Sequence, residues 1–124
     1  MLTSQNSRIQ GTCLKNLSRE FYPMEKQTPH YNLADVQALI AQKGVLTFTH
    51  TTRLGFLEMG FSEAEALQVL LSLRKVMFYK SMTTHADHRV WQGIYHAPTP
   101  IGKNAYIKLT LRPNDTVVIQ FKEK

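Results

Sequence analysis

Apolar positions recur at helical spacing in the first half of the chain and at strand spacing in the second, with the change near Val76. Asn32 precedes Leu33, Val36, Leu39 and Ile40, which share one helical face. Asp35 lies in the first turn, where the helix dipole favours a carboxylate, and Gly44 follows the last turn. This pattern predicts a helix over 33–43. Val45–Thr49 reads as a short strand or an extended connector. Residues 51–59 read as a short helix stopped by Gly60, with Thr51 or Thr52 as its cap. Ser62 and Glu65 fit a capping box, in which each side chain satisfies a backbone donor at the helix start. Ala66, Leu67, Val69, Leu70, Leu71 and Leu73 then form the most apolar helix, read as the main core helix rather than a partner-binding or membrane-lying one.

Past Val76 four segments alternate with period two, near 77–83, 89–96, 104–112 and 116–122. A His-rich loop, the Pro98/Pro100/Gly102 stretch and Pro113-Asn114-Asp115 separate them, and such short connections imply an antiparallel meander. The expected class is α+β, with N-terminal helices packed on a C-terminal antiparallel sheet. Strict alternation sets Ile107, Leu109 and Leu111 against Tyr106, Lys108 and Thr110, and Val117, Ile119 and Phe121 against Val118, Gln120 and Lys122. The apolar sets must cover the helices, so Tyr106 and Lys122 share the open face. In the first strand Phe78, Lys80 and Met82 oppose Tyr79 and Ser81. In the second, Val90, Gln92 and Ile94 oppose Trp91, Gly93 and Tyr95. Parity leaves these two strands unassigned, because both faces carry apolar residues.

Composition narrows the class. A chain of 124 residues with 43% hydrophobic and 19% charged residues has room for one core and is too apolar for wholesale disorder. No run approaches the roughly 18 apolar residues of a membrane span. The net charge of +6 favours polyanion partners. It is unevenly spread: residues 1–23 carry +2, residues 24–68 carry −2, and residues 69–124 carry +6. The basic half is the strand half. Cys13 stands alone, which fits a reducing cytoplasm. The first 23 residues are rich in Ser, Asn, Gln and Thr and lack a signal-peptide core. An AGG-GAG ribosome-binding sequence would encode Arg19-Glu20, at a plausible spacing before Met24. Hence the expectation that 1–23 is a translated leader and 24–124 a single domain, against the alternative of a basic arm contacting nucleic acid. The intact mass of natively expressed protein separates the two.

If Lys80 and Gln92 join the open face, they meet Tyr106 and Lys122 there. That cluster suits RNA phosphodiester cleavage, which needs the 2′-hydroxyl deprotonated, the leaving 5′-oxygen protonated and charge on the phosphorane neutralised. Lysines supply the last, a tyrosine hydroxyl can move a proton, and a glutamine amide can orient a base or phosphate. A solvated outer sheet face has the same residue types, and that reading stays open. His85, Asp87 and His88 offer too few ligands for a metal, so no metal or cofactor is expected. His88 is better read as a phosphate contact, His96 as a strand-end surface residue, and Trp91 as either core or a base-stacking platform.

Met24-Glu25-Lys26-Gln27-Thr28-Pro29-His30, Phe78-Tyr79-Lys80-Ser81-Met82-Thr83-Thr84, Asp87-His88, Trp91-Gln92, Tyr95, Tyr106-Ile107-Lys108 and Phe121-Lys122-Glu123-Lys124 closely resemble the MqsR toxin family, in order across 24–124. Over 45–75 the likeness is confined to the helical pattern and Thr51-Thr52-Arg53. The resemblance implies a type II toxin of RelE/YoeB-like fold, a ribosome-independent mRNA endoribonuclease cutting single-stranded RNA at short GC-containing sites without a metal. It also implies a cognate antitoxin with a zinc-binding N-terminal region and a DNA-binding helix-turn-helix region. The family's functional lysine falls on Lys80, its glutamine on Gln92, its tyrosine on Tyr106 and its C-terminal lysine on Lys122. The implied catalytic set is therefore Lys80, Gln92 and Tyr106, with Lys122, His88 and Lys108 binding RNA. A non-enzymatic RNA- or DNA-binding module is the alternative.

Overall fold

The computed structural model describes residues 23–112 and 115–124. Their elements run β1 (Glu25–Lys26), α1 (Leu33–Lys43), a 3₁₀ turn (Gly44–Thr47), α2 (His50–Glu58), α3 (Glu63–Leu71), a second 3₁₀ turn (Lys75–Met77), then β2 (Phe78–Thr83), β3 (Trp91–Pro98), β4 (Asn104–Arg112) and β5 (Asp115–Glu123). The strands form one antiparallel sheet in the order β1-β2-β3-β4-β5, so the expected meander is present with a two-residue edge added. The fold is α+β, helices first and sheet after, as the sequence predicts.

The chain divides into two contact units. Among the described residues the larger comprises 26–82 and 91–124, and the smaller comprises 83–90 with 23–25. The expectation of a leader over 1–23 falls outside the described residues except at Pro23. Cys13 falls outside them too.

In the larger unit α1 and α3 start where their capping chemistry predicts. Asn32 Oδ1 accepts from the Asp35 amide, and Ser62 and Glu65 form the reciprocal capping box. α2 is different from expectation: it begins at His50, and its cap is Thr49, whose Oγ1 accepts from the Thr52 amide at 3.2 Å. Thr51 is exposed, and Thr52 is committed elsewhere. Residues 44–47 are neither strand nor extended connector but a 3₁₀ turn, after which Phe48 makes a single parallel bridge to Val118. Leu33, Val36 and Ile40 of α1, Phe56 of α2, and Ala66, Val69 and Leu70 of α3 close over Tyr95, Ala97, Ala105, Ile107, Leu109, Val118 and Phe121 of the sheet. The apolar stripe of α3 is core, as expected.

Two features set the register of the last strand. Lys108 pairs with Gln120 but Leu109 pairs with Val118, so Ile119 is an extra residue, a bulge. The bulge corrects the strict alternation expected for β5. Val118 is fully buried in the core rather than on the open face, while Val117 and Ile119 are only partly buried. Beyond the bulge Gln120 and Lys122 share the open face as expected. Hydroxyls of α2 and its cap take up the bulge's carbonyls: Thr52 Oγ1 donates to Val118 O at 2.6 Å, and Thr49 Oγ1 to Ile119 O at 3.1 Å. The second feature is Gly55. A Cβ there would stand 1.8 Å from the Phe121 carbonyl oxygen, so α2 rests directly on the β5 backbone.

Candidate active site

The β3–β4–β5 register decides which polar residues meet. On the face away from the helices, His96 lies opposite Tyr106 and Ile94 opposite Lys108. Tyr106 in turn lies opposite Lys122, and Lys108 opposite Gln120. Gln92 has the parity of Ile94 and His96, which assigns it to this face; the ambiguity left by alternation alone is removed.

Lys80 arrives there by a departure from alternation. Phe78 packs in the core, its ring edge-on to Tyr95 at 5.6 Å. Tyr79 points the other way and stacks on His96 at 4.3 Å. Ser81 is buried toward the N-terminal segment, donating to Thr28 O at 2.9 Å and accepting from the His30 amide at 3.1 Å. Strict alternation would set Lys80 with Phe78. Instead its ammonium lies 5.3 Å from the Tyr79 ring centroid, and its charge acts on Lys108. Tyr79 and Lys80 thus share the open face, which corrects the expected pairing of Lys80 with Phe78.

Lys80, Gln92, Tyr106, Lys108 and Lys122 therefore come together on one face of the larger unit. Its floor is not simply solvated. Ile94 is 0% exposed, Gln92 7% and Thr110 1%. Thr110 Oγ1 donates to Trp91 O at 2.8 Å, tying β4 to the start of β3. Among the described residues nothing hydrogen-bonds the Gln92 amide, so a buried polar group is left for a ligand or water to satisfy.

Lys108 stands over Ile94 and between two other lysines. Burial, then the ammonium of Lys122, then that of Lys80, hold it below the ordinary lysine pKa. The Lys122 ammonium lies 5.2 Å from the Tyr106 ring centroid. Burial beside other cations disfavours the charged form of Lys108, and an anion such as a phosphate would relieve that cost. The charged form of Lys108 is penalised in the folded chain throughout the range below its lowered pKa. The penalty shrinks as pH rises from that pKa to the ordinary lysine value, above which it is absent. Lys108→Met should therefore melt a few degrees higher than wild type at neutral pH, with the gap closing in strong alkali, while RNA binding weakens. Thermal melts across pH check this; a lower melting temperature at neutral pH would contradict it.

His88 is not among these residues. It belongs to the smaller unit, in the 84–90 loop, where Thr84 Oγ1 donates to Asp87 O at 2.8 Å and the Asp87 carboxylate receives Arg89. The guanidinium and amide of Arg89 hold the Asp87 carboxyl below its usual range. Among the described residues no group of three His, Cys, Asp or Glu side chains is arranged to hold a metal. Trp91 is occupied by its own chain, with the Lys26 ammonium 4.3 Å from its ring and the His30 imidazole stacked at 5.1 Å. The residue that sequence reasoning missed is His96, which is not a plain surface histidine. It is half-buried between Tyr79 and Tyr106, and only the long-range register reveals it.

Residues 28–123 match the family described as motility quorum-sensing regulator, toxin of MqsA. The chain belongs to the MqsR toxin family. It is also 37% identical, over 101 residues, to the mRNA interferase toxin MqsR of Escherichia coli strain K12, an alignment that takes in 82% of this chain and all of that protein. The MqsR match spans every residue of the open-face cluster. Among the described residues no helix is long and apolar enough to cross a membrane.

Proposed function

We propose that this MqsR-family chain is the toxin of a type II toxin–antitoxin pair. On this reading it is a ribosome-independent endoribonuclease that cuts single-stranded mRNA at short GC-containing sites without a metal, stopping translation and growth in the cytoplasm. The observation that carries the reading is the convergence of Lys80, Lys108, Lys122 and Tyr106 over a buried Gln92 amide. Lys80 and Lys122 hold the scissile phosphate and neutralise the charge that grows on it in the transition state. Tyr106 moves a proton, and Gln92 orients the 2′-hydroxyl or a base edge. Lys108, with His88 from the loop, adds contacts to the RNA backbone. Attack of the 2′-oxygen on phosphorus expels the 5′-oxygen, leaving a 2′,3′-cyclic phosphate and a 5′-hydroxyl.

The antitoxin on this reading has a zinc-binding N-terminal region and a helix-turn-helix region, so the toxin meets DNA only through the complex. The toxin domain is 24–124, preceded by a leader. Inducing the chain in growing cells should arrest them with transcripts cut, and co-expressing the antitoxin should restore growth. Arrest with intact transcripts would sink the ribonuclease reading.

A further inference from the structure

Three lysines and a tyrosine supply charge and proton donors to the open face, and the imidazole of His96 is the group there best suited to accept a proton. The reaction needs an acceptor for the 2′-hydroxyl proton. We propose that His96 is a further catalytic residue of this face, the acceptor of that proton; the proposal rests on the ribonuclease reading.

The geometry is independent of any titration. The β3–β4 register sets His96 opposite Tyr106, with ring centroids 5.8 Å apart, close enough for one sugar–phosphate link to touch both. Tyr79 from β2 stacks on the imidazole at 4.3 Å with planes 24° apart, which fixes the ring and leaves its nitrogen-bearing edge free of the stack. Lys122 lies across β4, opposite Tyr106. The titratable groups placed beside His96 are Tyr79 on β2, Tyr106 on β4 and Lys124, which follows β5. Among the described residues no carboxylate hydrogen-bonds or ion-pairs with the His96 imidazole. Burial, then the Lys124 charge, keep its pKa below the ordinary imidazole value, so the neutral accepting form dominates near neutral pH.

The step balances. Neutral His96 takes the 2′-hydroxyl proton as the 2′-oxygen bonds to phosphorus. The bond from phosphorus to the 5′-oxygen breaks, and that oxygen takes a proton from the Tyr106 hydroxyl. The imidazolium then returns its proton to the phenolate, directly or through water. The lysines hold the phosphate throughout.

The test is a pH–rate profile of purified chain on a fluorescent single-stranded RNA. In wild type, kcat should fall on the acid side, below the ordinary imidazole range. His96→Phe preserves the stack but cannot accept a proton. It should lower kcat about 100-fold with KM little changed and remove that acid limb, while melting like wild type. His96→Asn should behave the same way. Unchanged kcat, or a lowered kcat with the acid limb intact, would overturn the proposal while leaving the ribonuclease reading standing. An acid limb that disappears in Lys108→Met instead would transfer the role to that lysine and overturn the proposal as well. Wild-type chain that cuts no RNA would overturn the underlying reading.

Discussion

Gly55→Ala should abolish the native fold, measured as loss of a cooperative thermal transition. The added methyl would sit 1.8 Å from the Phe121 carbonyl oxygen and 2.9 Å from its carbon. Neither side can yield cheaply. Phe121 is held in the ladder opposite Ile107 and its side chain is fully buried. α2 is pinned by Phe56, also fully buried, and by the Thr52 hydroxyl on Val118 O. Moving the helix off β5 would uncover Phe56 and strip the bulge of its hydroxyl partners together. The cost belongs to the overpacking class at its severe end, above about 4 kcal/mol, which is most of a small domain's stability. Since Lys122 directly follows Phe121, RNA cleavage should vanish with the fold. A variant that melts cooperatively within a few degrees of wild type would refute this packing.

Removing the proton-moving and phosphate-holding groups should have the opposite character: a folded protein that does not cut. Tyr106→Phe deletes one oxygen from a half-buried ring, so the melting temperature should barely change. Its kcat should drop by about 10²- to 10⁴-fold, the range for a proton-transfer group. Lys80→Ala should lose about 10²- to 10³-fold through lost charge stabilisation, taking the oxyanion-donor range as its scale. Lys122→Met should instead weaken binding and flatten the salt dependence by a slope of about 0.7, one phosphate contact on a single strand. Growth arrest should fail in the first two variants. Folded variants of Tyr106 and Lys80 that cleave at the wild-type rate would show that the open face is not the site.

The sequence revealed the elements well and their faces unevenly. Capping chemistry located α1 and α3 because Asn32, Ser62 and Glu65 act on amides three residues away. α2 came out shifted, since Thr49, Thr51 and Thr52 all offer a capping hydroxyl and Thr49 is the one in the extended backbone that precedes the helix. Alternation correctly separated Ile107 and Leu109 from Tyr106 and Lys108. It failed wherever a strand broke its period, at the Ile119 bulge and between Phe78 and Lys80. Both irregularities depend on partners far along the chain: hydroxyls of α2 and its cap at the bulge, the 28–30 segment at Ser81. Lys80 therefore reached the site through family likeness and not through parity. Gly55 did leave a local sign, a glycine inside a helical pattern, but what it touches is 66 positions away. His96 left none, because Tyr79 and Tyr106 come to it across strands.

The most direct test of the account is to incubate purified chain with a fluorescent single-stranded RNA containing GC steps, with and without EDTA, and identify the product ends. The account predicts cuts at discrete positions, unaffected by EDTA, with 2′,3′-cyclic phosphate on one side and 5′-hydroxyl on the other. Intact RNA that is merely bound, and released as salt rises, would contradict it.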